Sequence, residues 1–243
     1  MQRFLIDRHC IDSGRVVLQG EVVHQIRDVL RLRKGARIVV FDTEGLEYVV
    51  VLDSVRKDRA AGTIGSTRKR VGSKVVITLY QALLKSDRFE FVLQKCTEIG
   101  VSGIVPIICE RCVAGKPGAN KVQRWEKVIK EATEQSGRGT PPILSLSIPF
   151  EEACRRVKGT SLIASTGPQA LSLREIIRPM SDINLFVGPE GGFTDGELES
   201  ARRHGMKEVS LGPNTLRAET AGLVAATMVL YEAGILDRPL NTI

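Results

Sequence analysis

Two glycine-rich segments near the end of the chain contain residue types that could hold a ligand against the backbone. The first is Gly188-Pro189-Glu190-Gly191-Gly192, and the second is Leu211-Gly212-Pro213-Asn214-Thr215-Leu216. Glycine has no Cβ, so a ligand can approach the backbone amides and carbonyls, and proline stiffens the start of each turn. One such segment alone is more typical of a plain strand-to-helix turn than of a ligand site. Two of them, each after a predicted strand, indicate one shared pocket, because ligands of open α/β sheets bind beyond the carboxyl ends of the strands.

Polar residues follow the second segment, where the last helix is predicted to begin. Arg217, Glu219 and Thr220 are expected at the mouth of the pocket. The same helix carries small residues about four positions apart, which permit very close packing against another element. They are Ala218, Ala221, Gly222, Ala225 and Ala226. This pattern fits either a helix buried inside one subunit or a helix at a dimer interface. We expect a homodimer whose interface includes this helix face.

The sequence lacks the motifs of common nucleotide-binding and metal-binding sites. There is no Gly-x-x-x-x-Gly-Lys-Ser/Thr phosphate loop and no Gly-x-Gly-x-x-Gly dinucleotide fingerprint. The three histidines, His9, His24 and His204, are scattered and lack metal-ligand spacing. Cys109 and Cys112 form a lone Cys-x-x-Cys, and a zinc site would need a second pair. The sequence therefore predicts neither a nucleotide triphosphate site nor a metal site.

The elements that must position the glycine-rich segments alternate between strand and helix from residue 74 onward. Strands are predicted at 75–80, 103–108, 160–165, 183–187 and 208–211, and helices at 87–99, 121–135, 150–157, 195–204 and 217–234. Such alternation predicts a mainly parallel sheet covered on both faces. Thr194 and Glu197 have the spacing of a capping box at the start of one helix.

The first part of the chain has a different pattern. Short β-like segments rich in Val, Ile and Thr are predicted at 36–42, 46–55 and 61–67, and one helix at 21–32. These predict a small β-barrel with an inserted helix, joined to the rest by a linker at 68–73. The expected domains are therefore 1–72 and 73–243.

Charge is concentrated in the smaller domain. The 243 residues carry a formal net charge of +7, and residues 1–72 hold 14 basic and 9 acidic side chains. Five of the seven excess charges thus lie in less than a third of the chain, which is as consistent with a module that meets a polyanion as with a solvated basic face. The candidate phosphate contacts are Arg27, Arg31, Arg33 and Lys34 on and after the predicted helix.

Composition excludes other classes. With 42% hydrophobic and 26% charged residues, the chain is typical of a folded globular protein rather than a disordered or membrane-spanning one. The N-terminus has charges where a signal peptide needs an apolar core. Five cysteines are an odd number without disulfide-framework spacing, so we expect a reducing cytoplasm.

The joint pattern resembles the RsmE family, which are SPOUT-class methyltransferases acting on N3 of a uridine in 16S ribosomal RNA. The resemblance is carried by residues 187–193 and by Leu211-Gly212-Pro213-x-x-Leu216-Arg217-x-Glu219-Thr220-Ala221. It extends to residues 24–35, 94–101 and 131–138, and so covers nearly the whole chain. Cys112, Asn214-Thr215 and Ala218 depart from the residues usual in that family, and Asn214 leaves the pocket loop without a cation.

The resemblance implies a fold and a cofactor. The fold would be α/β, with a SPOUT α/β knot at 73–243 and a PUA-like β-barrel at 1–72 that binds RNA. Bent S-adenosyl-L-methionine would be held mainly by the backbone of the two glycine-rich loops. The protein would be a homodimer, and the reaction would require no metal. The residues concerned are Gly188, Pro189, Glu190, Gly191, Gly192, Leu211, Gly212, Asn214 and Leu216.

The same resemblance implies an RNA substrate and two catalytic side chains. Uracil N3 must lose its proton before or as it attacks the methyl group, so the site needs a base or donors for an imide-like anion. Arg217 is expected to contact the uracil or its phosphate, and Glu219 to orient Arg217 or accept the proton. The partner would be 16S ribosomal RNA or the small subunit. Two alternatives stay open: another SPOUT enzyme acting on transfer RNA or a ribose 2′-oxygen, and a non-catalytic RNA-binding protein.

Overall fold

The computed structural model describes residues 1–70, 75–176 and 182–236 and contains two compact units. The first comprises Met1–Gly72 and Thr133–Pro141, and the second comprises Ser73–Ala132 and Pro142–Ile243. The predicted boundary at 72/73, with part of the predicted linker, lies outside the described residues. Among the residues that are described, no helix combines the length and the hydropathy that a membrane span requires.

The first unit contains a six-stranded sheet with the order β1-β4-β5-β6-β3-β2. The pair β1–β4 is parallel and the other pairs are antiparallel. Alternate side chains of the strands, such as Ile38, Val40 and Val50, are fully buried in one apolar core. The strands are β1 (Arg3–Leu5), β2 (Ile11–Asp12), β3 (Arg15–Gln19), β4 (Arg37–Phe41), β5 (Leu46–Val55) and β6 (Arg59–Lys69).

The helix of the first unit is shorter than predicted. It runs as α1 (Glu21–His24) and continues with π-helical geometry over Gln25–Val29. Arg31 then adopts a left-handed φ of 53°, and Leu32 N donates to Ile26 O at 2.8 Å, which closes the helix before residue 32. Val23 and Ile26 anchor this helix in the core of the unit.

The second unit is built on a sheet in which every strand pair is parallel, as predicted. The order is β10-β8-β7-β13-β11-β14-β12, and β9 also pairs with β8. The strands are β7 (Val76–Ala82), β8 (Gly103–Ile108), β9 (Ile143–Leu144), β10 (Ile148–Pro149), β11 (Thr160–Ala164), β12 (Leu171–Ser172), β13 (Asp182–Val187) and β14 (Lys207–Ser210). The five predicted strands are present, whereas the two-residue strands are too short to show a sequence period.

Helices cover both faces of this sheet because its strands are apolar on both sides. Leu79 and Leu185 point into one core, while Tyr80 and Phe186 stack at 4.4 Å between ring centroids in the other. The five predicted helices are confirmed to within two residues at each end, and the short α5 was not predicted. The helices are α2 (Ser86–Ile99), α3 (Ala119–Ser136), α4 (Phe150–Arg156), α5 (Leu173–Ile176), α6 (Asp195–Arg203) and α7 (Ala218–Glu232).

The small residues of α7 face inward. Ala225 and Ala226 are at most 1% exposed, and α7 packs against α2, β7 and β13 of its own chain. A Cβ at Gly222 would lie 2.7 Å from Oε1 of the buried Gln81, so this position has no room for a side chain. The small-residue face is therefore a packing surface within the chain, and the expectation that it forms a dimer interface is corrected.

Candidate functional site

Three loops meet beyond the carboxyl ends of neighbouring strands, because parallel strands all end at the same edge of the sheet. Strand β13 leads into residues 188–193, β14 into residues 211–217, and β11 into residues 165–167. Together with Arg88 and Arg111 they line a cavity of about 780 Å³, the carboxyl-edge pocket. Its position is the one that open α/β sheets use for ligands.

The loop after β13 is a tight turn held by a side chain from elsewhere. Gly192 has a φ of 70°, in the left-handed region that favours glycine, and its N–H donates to Pro189 O at 2.9 Å. Arg111 Nη1 donates to Gly191 O at 2.8 Å. A Cβ at Gly191 would lie 3.3 Å from the Arg111 side chain. The turn thus exposes bare backbone on one side and is fastened on the other.

The loop after β14 delivers Arg217 to the start of α7. Gly212 has a φ of 121°, which a residue with a side chain rarely adopts. The Arg217 carbonyl accepts hydrogen bonds from the N–H groups of Thr220 and Ala221 at 2.9 and 2.8 Å. The Arg217 side chain is exposed, lines the pocket and has no ion-pair partner within the described ranges. Its backbone starts the helix, and its guanidinium is left available.

The predicted capping box at the start of α6 is confirmed and has a further partner. The hydroxyl of Thr194 accepts from Glu197 N at 3.2 Å, and the Glu197 carboxylate accepts from Thr194 N at 2.9 Å. The same carboxylate accepts from Glu110 N at 2.9 Å, although Glu197 is buried. Glu197 therefore joins the turn after β8 to the end of the 188–193 loop.

Glu219 forms its ion pair with Arg88 rather than with Arg217. Arg88 Nη1 donates to Glu190 Oε1 at 3.1 Å, and Arg88 Nε lies 3.8 Å from Glu219 Oε1. Arg88 therefore bridges the first glycine-rich loop and the start of α7. No ion pair between Glu219 and Arg217 occurs among the described residues, so the expectation that Glu219 orients Arg217 has no support in the structure. The other oxygen of Glu219, Oε2, is buried without a hydrogen-bond partner among the described residues.

The Cys-x-x-Cys pair shapes the turn that carries Arg111. Cys109 N donates to Cys112 Sγ at 3.3 Å. A hydrogen bond from the Cys109 thiol lowers the pKa of Cys112 to about 7, against the opposing effect of burial. The same interaction, with burial, raises the pKa of Cys109. Hydrogen bonding within the pair therefore shapes the turn that presents Arg111 to the pocket. No group of three potential metal-ligating side chains occurs in the described part of the chain.

The structure brings together all the residues predicted to hold a cofactor. Arg217 also lines the carboxyl-edge pocket, whereas Glu219 is not among the lining residues and pairs with Arg88. The residues in question are Gly188, Pro189, Glu190, Gly191, Gly192, Leu211, Gly212, Asn214 and Leu216.

The candidate RNA-binding cations belong to the first unit. Arg27 Nε forms an ion pair with Asp28 at 2.7 Å, which lowers the pKa of that carboxyl to about 2. Arg31, Arg33 and Lys34 are exposed and lack an ion-pair partner among the residues described. Three of the four cations are therefore free to meet an anion, and Arg27 would have to exchange its partner.

Sequence reasoning missed the third loop and two arginines of the pocket. Ser165, Thr166 and Gly167 line it, and Gly167 N donates to Ser165 Oγ at 3.0 Å. A signal was present, because Gly167-Pro168 after a predicted strand repeats the Gly-Pro pattern of the other two loops. Arg88 and Arg111 had no comparable signal, since each reaches the pocket from a distant part of the chain.

Comparisons with known proteins agree with this geometry. Residues 72–230 match the family model described as an RNA methyltransferase domain. A ribosomal RNA small subunit methyltransferase E from Rickettsia conorii is 31% identical over 93% of this chain and 94% of its own length. The crystal structure of the Neisseria gonorrhoeae protein of the same name, bound to S-adenosyl methionine, is similar with a TM-score of 0.89, 35% identity and coverage of 96% and 98%. A methyltransferase from Legionella pneumophila with bound SAM is similar with a TM-score of 0.89, 30% identity and coverage of 95% and 97%.

Proposed function

The chain belongs to the family of ribosomal RNA small subunit methyltransferase E, and from this premise we propose that it methylates N3 of a uridine in 16S ribosomal RNA with S-adenosylmethionine as methyl donor. The observation that carries the proposal is the convergence of three backbone-exposing loops and Arg217 on one pocket. The similarity to relatives of that name extends over nearly the full length of both chains, so the proposal rests on the N-terminal unit as well as on the methyltransferase domain.

The pocket fits the cofactor. Its volume of about 780 Å³ lies within the roughly 300–1,000 Å³ typical of sites for small molecules. Residues 188–192 and 211–216 offer backbone groups and the apolar side chains of Leu211 and Leu216. When bound there, S-adenosylmethionine supplies an electrophilic methyl group on a cationic sulfur.

The remaining task of the protein is to position uracil and to handle its N3 proton. Loss of that proton places negative charge over N3 and the two flanking carbonyls. Arg217 has an uncommitted guanidinium at the pocket and stabilises this charge as it develops. Glu219, held by Arg88 beside the helix start, does not line the pocket, and its buried oxygen without a partner among the described residues is proposed to take the proton through an ordered water.

We extend the proposal to the architecture. Residues 73–243 form a SPOUT trefoil knot, which is supported by the sheet order: β11 lies between β13 and β14, so the chain returns across β11 after leaving β13. Residues 1–72 form a PUA-like RNA-binding domain, supported by its curled mostly antiparallel sheet and free cations. The enzyme works as a homodimer in the cytoplasm, and its five free cysteines are in keeping with that reducing compartment.

The test follows one methyl group. Deletion of the gene should remove a single methyluridine from small-subunit ribosomal RNA, and the purified protein with S-adenosylmethionine should restore it, with mass mapping placing the methyl on N3. A methyl group on transfer RNA or on a ribose 2′-oxygen would assign a different enzyme of the same fold. RNA binding without cofactor binding or transfer would leave a non-catalytic RNA-binding protein.

A further inference from the structure

A second cavity adjoins the carboxyl-edge pocket. It has a volume of about 580 Å³ and is lined by Lys85, Asp87, Arg88, Ala114, Gly115 and Lys121. Arg88 lines both cavities, so its side chain forms part of the wall between them. All of these residues belong to the second unit.

The charged residues of this second cavity are mostly cationic, and its two lysines have no ion-pair partner among the described residues. Lys85 is exposed at the start of α2, and neither Lys85 nor Lys121 has an ion-pair partner in the ranges that the structure describes. Lys121 Nζ lies 5.5 Å from the centroid of the buried Trp125 ring, a cation–π contact that positions the ammonium group beside the cavity. Asp87 is the single acidic residue of the lining, and Arg88 already has two carboxylate partners.

Two small residues of the lining leave room for a backbone. Ala114 and Gly115 have little or no side chain, and a Cβ built on Gly115 would meet nothing within 4 Å. A narrow polyanion could therefore pass between this loop and the two lysines. Asp195 also lines the carboxyl-edge pocket and would repel a phosphate there.

We propose that this cavity is a phosphate-binding subsite for the strand of substrate RNA that flanks the target nucleotide, with Lys85 and Lys121 as its contacts. The inference rests on the proposed function, because a nucleotide held at the carboxyl-edge pocket is covalently joined to phosphates that must leave along one wall. The wall at Arg88 leads to two lysines that have no ion-pair partner among the described residues. RNA is thus bound by the catalytic unit itself and not only by the N-terminal unit.

The experiment measures the salt dependence of RNA affinity. The double variant Lys85→Ala/Lys121→Ala removes two cations, and Lys158→Ala/Lys207→Ala is the matched control, since both of these lysines are exposed and distant from either cavity. The probe is small-subunit ribosomal RNA transcribed in vitro. Each lost phosphate contact should flatten the slope of log affinity against log salt by about 0.7 to 0.9, so two contacts flatten it by about 1.4 to 1.8.

Three further measurements separate the explanations. Lys85→Arg/Lys121→Arg should keep the slope, whereas loss of Trp125 packing alone would change the melting temperature without changing the slope. Cofactor binding by calorimetry should be the same in all variants. If the wild type transfers methyl groups to the RNA but the alanine variant has the slope of its control, or if only Arg31, Arg33 and Lys34 affect the slope, the subsite is wrong. If the wild type transfers none, the proposed function itself fails.

Discussion

Arg217 is a cation at the mouth of a pocket proposed to hold a positively charged sulfonium, so cofactor binding gives no electrostatic reason for its presence. Its side chain also has no ion-pair partner within the described ranges, and the structural work at the start of α7 is done by its backbone carbonyl. An anion that arrives with the substrate, or forms on it, explains the guanidinium better. Stabilisation of charge that develops only in the transition state appears in turnover rather than in ground-state binding.

We therefore expect Arg217→Ala to bind S-adenosylmethionine nearly normally and to lose methyl transfer by roughly 100- to 1,000-fold, the usual cost of removing one such donor. Calorimetry measures the binding, and single-turnover assays with excess enzyme measure the transfer. Arg203→Ala, at the exposed end of α6, is the matched loss of an arginine and should leave both unchanged. Near-normal single-turnover transfer by Arg217→Ala would reduce this residue to a structural role.

At the scale of elements, the loop after β13 is a turn, and side-chain hydrogen bonds from residues elsewhere in the chain hold it and the segment that follows it. Arg111 holds the Gly191 carbonyl, and Glu197 joins the turn at Glu110 to the start of α6. Packing favours glycine at positions 188 and 191, where a Cβ would lie 3.2 Å from Phe193 and 3.3 Å from Arg111, and the positive φ favours it at position 192. The pocket thus depends on residue types at single positions and on packing around them.

Gly191→Val should abolish cofactor binding while the protein stays folded. The new Cβ would begin 3.3 Å from the Arg111 side chain, and its branches would either displace Arg111 or enter the pocket. Titration calorimetry and a thermal melt report binding and folding separately. Gly196→Val in the first turn of α6, where a Cβ would meet only Thr194 Oγ1 at 3.9 Å, is the control and should bind normally. Unchanged affinity in a folded Gly191→Val protein would move the cofactor to another place.

At the scale of the whole molecule, the two faces of α7 have different roles. Its small residues are buried against the sheet and α2, whereas a helical stripe of Thr220, Val224, Thr227 and Tyr231 is turned outward, with Tyr231 61% exposed. A homodimer, if formed through this helix, would use the outward stripe. The small-residue face is what allows the helix to lie so close to Gln81 and Leu79.

The variants that test the dimer follow from this division. Val224→Glu should yield folded monomers by light scattering, with loss of methyl transfer, and Leu146→Glu, an equally apolar surface position at 78% exposure, should stay dimeric. Ala225→Trp instead overfills the core and should lower the free energy of unfolding by about 1–3 kcal/mol or more. A wild-type protein that is monomeric and active would contradict the homodimer, as would a fully dimeric Val224→Glu.

The sequence by itself determined the features that depend on neighbours along the chain. Local patterns predict the alternation of strand and helix, the parallel sheet, the capping box of Thr194 and Glu197, and the two glycine-rich loops. Helix ends are harder to predict where a residue adopts an uncommon backbone conformation. Arg31 is an example, because its left-handed φ ends the first helix early. The intrinsic conformational preferences of arginine do not predict a left-handed φ.

Only the tertiary structure decided which distant side chains complete the pocket. Arg88 meets Glu190 across 102 positions, and Arg111 meets Gly191 across 80. The inward direction of the small residues on α7 and the pairing of Glu219 with Arg88 were decided in the same way. The physical reason is that an ion pair or a close packing contact forms between whichever groups the sheet order brings together, and the order of strands in a parallel sheet is not written in any local pattern.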